Sequence, residues 1–250
     1  MEQKNNLNNL KIEENSKYVW RYIGLDKFLD ILNEGKIYFP TPTQFSDPNE
    51  TKFVDGENNI ICLKNVASKI GVSCWHMNEH ENILMWKTYV KNEYGVAIKI
   101  KLPKLKKAIG SKVKKRNEFG FQKVDYFSRN EFKRLINSNT EEFNYDWKKV
   151  DINKFFFVKT VEYCGEQEYR IIASNPKLLN AESSKRKTIS AELNHSPCGF
   201  KIDFDIQQID EIVMHPQLPE YMKIILKEIC KNKKLNCLIN ESIVTELLKQ

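Results

Sequence analysis

In the stretch EYCGEQEYRII, running from Glu162 to Ile172, Glu166, Glu168 and Arg170 alternate with uncharged residues. Alternate residues of an extended strand share a face, so the three charges are expected to line up together. Two carboxylates held this close push one of the two pKa values up, which suits that group to carry a proton as a base. Arg170 is expected to brace Glu168 or another acid. A solvated sheet face is the plainer reading of such a triplet. Against it stands the apolar character of the run, since a carboxylate in a buried strand is rarely left unpaired.

Other constellations that do chemistry are weaker here. No Ser-His-Asp or Cys-His set stands out. Six cysteines (Cys62, Cys74, Cys164, Cys198, Cys230 and Cys237) are scattered without a CxxC pair, which suits neither a disulfide framework nor a zinc knuckle. The nearest metal-like cluster is CWHMNEH, with Cys74, His76 and His80, to which His195 and Cys198 of HSPC add a second pair. Cys74 reads better as an inward strand residue than as a zinc ligand, and we expect no metal.

The chain has 250 residues, 41% hydrophobic and 29% charged, which is the composition of a globular domain large enough for a proper core. No apolar run reaches the length of a membrane span and the first residues lack an apolar signal core. A cytoplasmic protein without membrane contact is expected. The net charge of +7 is matched by seven basic residues and no acid in KLKKAIGSKVKKR, Lys104–Arg116. That segment is a possible docking surface for a polyanion, or a solvated helix face.

The elements that must position these residues follow from periodicity. Residues 1–17 are polar and expected to be a flexible tail; 18–250 are expected to form one α+β domain with an insertion at about 103–154. KYVWRYI reads as a strand and Leu25–Glu34 as a helix capped by Gly35. KIYFP leads into a proline-broken loop. IGVSCWH is a strand, NEHENILMWKTYVKNEYG is expected to be a helix starting near Asn78 and carrying Ile83, Met85, Trp86 and Tyr89, and GVAIKIKL is a strand with clear alternation. The region up to Lys149 reads as helices and loops. FFFVKTVEYCGEQEYRIIAS gives one or two strands with a turn near Cys164–Gly165. GFKIDFD, IDEIVMHP and LNCLINESI read as strands, and PEYMKIILKEICKNKK as an amphipathic helix.

Four ordered motifs resemble the bacterial domain-of-unknown-function family 2971. The opening carries Trp20, Arg21, Tyr22, Gly35, Phe45, Asp47, Pro48 and Glu50. A Ser-Cys strand with Ser73 and Cys74 is followed by Met85, Trp86 and Tyr89. The Glu-x-Glu-aromatic-Arg strand holds Glu166, Glu168, Tyr169 and Arg170, and IDEIVMHP closes the series. The order of parts also resembles the ADP-ribosyltransferase fold, with Arg21, Ser73 and Glu168 in the three expected places and EQE matching the Glu-x-Glu of the arginine-modifying branch.

That second resemblance implies a split mixed β core with flanking helices, to which the basic and charged segments add a helical, Lys-rich insertion. It implies NAD as substrate. Glu168 is then the catalytic carboxylate against the ribose and Glu166 the group that orients or deprotonates the acceptor. Arg21, Tyr22, Ser73, Trp86, Tyr89 and Arg170 are expected around the dinucleotide. Trp86 and Tyr89 would wall the nicotinamide and Arg21 would offer a planar fork to a ribose hydroxyl or pyrophosphate oxygen. The acceptor implied is a protein or a nucleic acid, with simple NAD hydrolysis as the other outcome. A toxin, phage-defence or abortive-infection setting follows from the same likeness, with an antitoxin or phage-derived regulator. The alternative is a non-catalytic nucleic-acid-binding or regulatory module using Lys104–Arg116. In that reading Arg21 pairs with an acid, Ser73 is an ordinary strand hydroxyl, and Trp86 and Tyr89 are core.

Overall fold

The computed structural model describes residues 17–45, 47, 52–54, 60–62, 67, 70–110, 119–132, 156–174 and 198–244. The tail expected over 1–17 lies, but for Lys17, outside the described residues, as do Pro48, Glu50, His195 and the 111–116 part of the basic segment. In chain order, β1 is Tyr18–Gly24, α1 Leu25–Glu34, β2 Lys36–Pro40, β3 Lys52–Val54, β4 Ile60–Cys62 and β5 Ile70–Met77. Next come α2 (Ile83–Tyr89), β6 (Gly95–Lys101), α3 (Leu102–Gly110), β7 (Phe119–Lys123), β8 (Asp125–Phe127) and β9 (Val158–Thr160). A 3-10 helix over Val161–Glu166 leads into β10 (Glu168–Ser174), and β11 (Gly199–Asp203), β12 (Glu211–Met214), α4 (Glu220–Asn232) and β13 (Leu238–Glu241) complete the mixed α+β set. None of the described helices is long and apolar enough to cross a membrane.

The chain divides into two compact units. The first comprises residues 1–37, 75–114 and 202–250. Its sheet is mixed: β1 runs antiparallel to β6 from Tyr18↔Lys101 to Gly24↔Gly95, β12 is antiparallel to β6, and β13 is parallel to β12. Residues 76–77 of β5 pair with Trp20 and Val19 on the other side of β1. Trp20 and Tyr22 alternate onto one face of β1 and pack with Met85, Trp86, Val90, Ala97 and Val213. Helix α1 buries Leu25, Phe28, Ile31 and Leu32, an i, i+3, i+6, i+7 stripe. Gly35 ends it at φ 61, where its N–H bonds the carbonyl of Ile31; a left-handed cap of this kind is what glycine supplies at least cost. At Gly95 a Cβ would meet Val90 Cγ1 and, at 2.9 Å, the carbonyl of Ile23, so β6 passes its neighbours there only as bare backbone.

The expected start of α2 near Asn78 is corrected to Ile83. Asn82 is the cap, its side chain accepting the N–H of Leu84 at 2.9 Å. Asn78 lies ahead of the helix, where its carbonyl accepts the Trp20 indole N–H at 2.7 Å. The basic segment begins as α3, which buries Leu105, Ala108 and Ile109 and turns Lys104 and Lys107 outward.

The second unit comprises 38–74 and 115–201. β10 is antiparallel to β7, and β8 is parallel to β9. Strands at 119–127 replace the helices and loops expected there. Phe119 and Phe121, and then Val124 and Tyr126, recur two apart with a slip of phase at Gln122–Lys123, and Ile171↔Phe121 and Tyr126↔Lys159 are among the pairs that result. The apolar core gathers Ala67, Ile70, Val72, Phe156, Phe157 and Ile172, with Phe45 and Cys74 packed against it.

Candidate active site

The acidic pair lies in the second unit and is built by a turn rather than by strand alternation. Glu166 closes the 3-10 helix, Gln167 caps it in the left-handed region at φ 42, and Glu168 is the first residue of β10. A non-glycine residue at positive φ costs about 1 kcal/mol or more, and such strain persists where surrounding contacts fix it. Those contacts are present. The N–H of Glu168 donates to the Tyr126 hydroxyl at 2.8 Å, and that of Gln167 to the carbonyl of Cys164 at 3.1 Å.

Both carboxylates converge on one ammonium. Lys159 Nζ is 2.7 Å from Glu166 Oε2 and 3.5 Å from Glu168 Oε2. From the other side Arg170 reaches Glu168 Oε2 through Nε at 2.9 Å and Nη2 at 2.8 Å, while its Nη1 donates to the carbonyl of Phe156 at 2.7 Å. Arg170 is 1% exposed, Glu168 4% and Lys159 7%, so the cluster holds two cations and two carboxylates with little access to water. Glu166 keeps a side chain 21% exposed and is the more open of the two acids.

The electrostatics separate the two carboxyls. Burial pushes both up. At Glu168 the Arg170 and Lys159 charges, with hydrogen bonds from Cys74 and Arg170, overcome burial and hold the carboxyl below its ordinary range. At Glu166 burial prevails over Lys159, and the proximity of Glu168 adds to it, so its carboxyl lies above that range. Pairs of acids whose environments drive their pKa values apart are the usual basis of an acid and base assignment. Burial likewise pushes the Tyr126 phenol up to about 12, and it stays a neutral hydroxyl beside them.

Of the residues singled out from the sequence, Glu166, Glu168 and Arg170 are thus brought together, with Arg170 enclosed and bracing Glu168. Ser73 is fully buried on β5, next to Cys74. Arg21, Tyr22, Trp86 and Tyr89 lie in the first unit. Arg21 is half-buried with its guanidinium 5.6 Å from the centre of the Trp75 ring, a cation–π contact. The Tyr22 hydroxyl accepts the N–H of Asn82 at 2.9 Å, and its ring meets Trp86 edge-on at 4.9 Å. Trp86, 1% exposed, donates its indole N–H to Glu81 Oε2 at 3.0 Å and meets His215 edge-on at 5.1 Å. Tyr89 is 45% exposed. The expected shared wall of Trp86 and Tyr89 is therefore divided: three residues along a helix are roughly 60° apart, enough to put one ring in the core and the other at its rim.

Sequence reasoning missed Lys159, Tyr126 and the bond from Cys74. Lys159 had a readable signal, as the one charge in the apolar run Phe155–Val158 and its continuation to Val161. Among the described residues no group of three or more His, Cys, Asp or Glu side chains is arranged to hold a metal ion.

Residues 85–171 match the family model of DUF2971, described as a protein of unknown function, which bears out that resemblance over the segment from Met85 to Ile171. No curated protein matches the chain. Among solved structures, Thermus sp. 2.9 DarT in complex with NAD+ matches 89% of this chain and 94% of its own, at 10% identity and a TM-score of 0.38. The same protein in complex with carba-NAD+ covers 90% and 94%, also at 10% identity and 0.38. In complex with ADP-ribosylated ssDNA it covers 92% and 94%, at 10% identity and 0.40.

Proposed function

We propose that this chain is an NAD-dependent ADP-ribosyltransferase or NAD glycohydrolase, with an ADP-ribosyltransferase-like split core and a Lys-rich insertion at about 103–154. The observation that carries the reading is the divided acidic pair: Glu168 buried and held ionised by Arg170 and Lys159, and Glu166 beside it driven the other way. Cleaving the nicotinamide–ribose bond develops positive charge on the ribose, as glycoside cleavage does. A fixed carboxylate stabilises that charge without reorganising, and Glu168 supplies it. Glu166, more open and more easily protonated, takes the proton of the acceptor hydroxyl or amine, or of water where hydrolysis is the outcome. The bond between ribose C1′ and the nicotinamide nitrogen breaks, the nitrogen keeps the electron pair, and the acceptor oxygen or nitrogen bonds C1′.

The remaining assignments rest on this reading. Arg21 offers its fork to a ribose hydroxyl or pyrophosphate oxygen. Tyr89, 45% exposed, is the ring assigned to nicotinamide, and Tyr22 and Trp86 hold the helix that carries it. Ser73 and Arg170 act from within, on β5 and on Glu168. The acceptor is a protein or nucleic-acid group. The setting we assign is a cytoplasmic bacterial toxin or phage-defence effector held in check by an antitoxin or a phage-derived regulator.

The non-catalytic alternative draws less support. Within α3, Lys104 is paired with Asp210, and so part of the basic segment is already engaged inside the fold. Incubation with NAD labelled on the adenylate moiety, in the presence of a protein extract or single-stranded DNA, tests the proposal. Label entering one of those fractions, and absent with Glu168→Gln, is expected. Salt-sensitive binding to DNA or RNA with indifference to NAD would favour the module instead.

A further inference from the structure

The ammonium of Lys159 contacts both carboxylates, at 2.7 and 3.5 Å, and it comes from a different element from either. β9 is only Val158–Thr160, held by parallel pairing to β8, where Tyr126 lies opposite Lys159. The Tyr163 ring covers the ammonium with its centroid 4.7 Å away, shielding it from solvent on that side. A lysine in this position costs desolvation energy that a structural contact alone would not require, since a well-packed apolar residue of similar volume is often as stable.

We propose that Lys159 is the positioning residue of the acidic pair, clamped between Glu166 and Glu168 so that it decides which of them carries the proton. The inference rests on the reading of that pair as the reacting carboxylates. Arg170 bonds Glu168 and acts on Glu166 through its charge from further off. The Cys74 thiol also reaches Glu168, as does Tyr126 through its hydroxyl on the backbone N–H. Glu162, on the same 3-10 helix, is drawn away by Arg129 at 2.6 Å. Lys159 lies within ion-pair distance of both, so losing it should move both titrations.

The test uses the full chain with 13C-carboxyl-labelled glutamate, followed by NMR from acid to neutral pH. Signals are assigned by their loss in Glu166→Gln and Glu168→Gln. In Lys159→Met both carboxyls are expected to titrate at least about one pH unit higher, while Lys159→Arg restores them to near the native values. A folded Lys159→Met with both titrations unmoved overturns the proposal, as does Lys159→Arg behaving like Lys159→Met. Should Lys159→Met fail to fold, Glu166→Gln carries the test: the ammonium loses one acceptor and settles on Glu168, whose titration should fall further. An unmoved Glu168 overturns the clamp. NAD consumption by the same samples is read separately. Shifted carboxyls with no consumption by the native protein would sink the enzymatic reading and leave the clamp standing, and the reverse would sink the clamp alone.

Discussion

Replacing Arg170 with methionine removes the guanidinium fork while keeping an unbranched apolar side chain in a site that is 1% exposed. At 2.8 Å and an effective dielectric of about 20, the lost attraction to Glu168 is roughly 6 kcal/mol, against which the desolvation of the guanidinium is recovered. Breaking a buried pair by removing one partner costs about 3–5 kcal/mol, because the other charge is left uncompensated. Lys159 remains at 3.5 Å from the same oxygen and supplies part of the compensation, which places the loss near the lower end, about 3 kcal/mol. The carbonyl of Phe156 loses its donor as well. The native carboxyl of Glu168 titrates below its ordinary value, so its stabilising contribution is present above the unfolded carboxylate range and is lost as pH falls through the folded value. The penalty of Arg170→Met should therefore be full near neutral pH and shrink as pH falls and Glu168 takes up a proton instead. Equilibrium denaturation across that pH span reads it, and Glu168→Gln/Arg170→Met should be more stable at neutral pH than Arg170→Met alone. A loss that is constant with pH, or a double variant no better than the single one, would refute the reasoning.

Substitutions at two further positions probe the backbone, and one probes the pH response of the pair. Gln167→Gly should be neutral to stabilising by up to about 1 kcal/mol, and Gln167→Val destabilising by about 1–2 kcal/mol, as measured by thermal unfolding, because φ 42 suits glycine and penalises a branched Cβ. Gly95→Ala should cost about 1–3 kcal/mol in the same assay, since its Cβ has no room between Val90 and the carbonyl of Ile23. Glu166, with its folded carboxyl raised, contributes stability at acid pH that is lost as pH rises through that folded value. Glu166→Gln should accordingly flatten the decline in stability on the way to neutral pH, checked by denaturant midpoints in a pH series.

The elements built from local pattern were legible in the sequence. β1, α1 with its glycine cap, β6, β12 and α4 each carry their own period and end signals, and fall where those signals place them. α2 was misplaced at its start because Asn78 and Asn82 are equally good caps in isolation; the carbonyl of Asn78 is instead engaged by Trp20, a contact 58 residues distant. β7 and β8 were missed under a charge-rich flank, although their apolar alternation was there to read. Glu166 and Glu168 were recognised as a pair for a reason that does not hold. They converge through the left-handed Gln167 and a shared lysine, and only the second glutamate is on the strand. Lys159 could not be paired from sequence, because its register against Tyr126 is a property of the β8–β9 pairing and not of either segment alone. The same holds for Lys104, whose charge counts toward a basic patch in the sequence and against Asp210 in the fold.

We propose that Glu168 stabilises charge developing on the ribose of NAD. Nicotinamide release by the full chain, followed by chromatography beside Glu168→Gln with a protein extract or single-stranded DNA as acceptor, tests it most directly. Release by the native protein is expected, with a fall of about 10²–10³-fold in the still-folded variant. Equal release from both proteins, or none from the native protein with either acceptor, would contradict it.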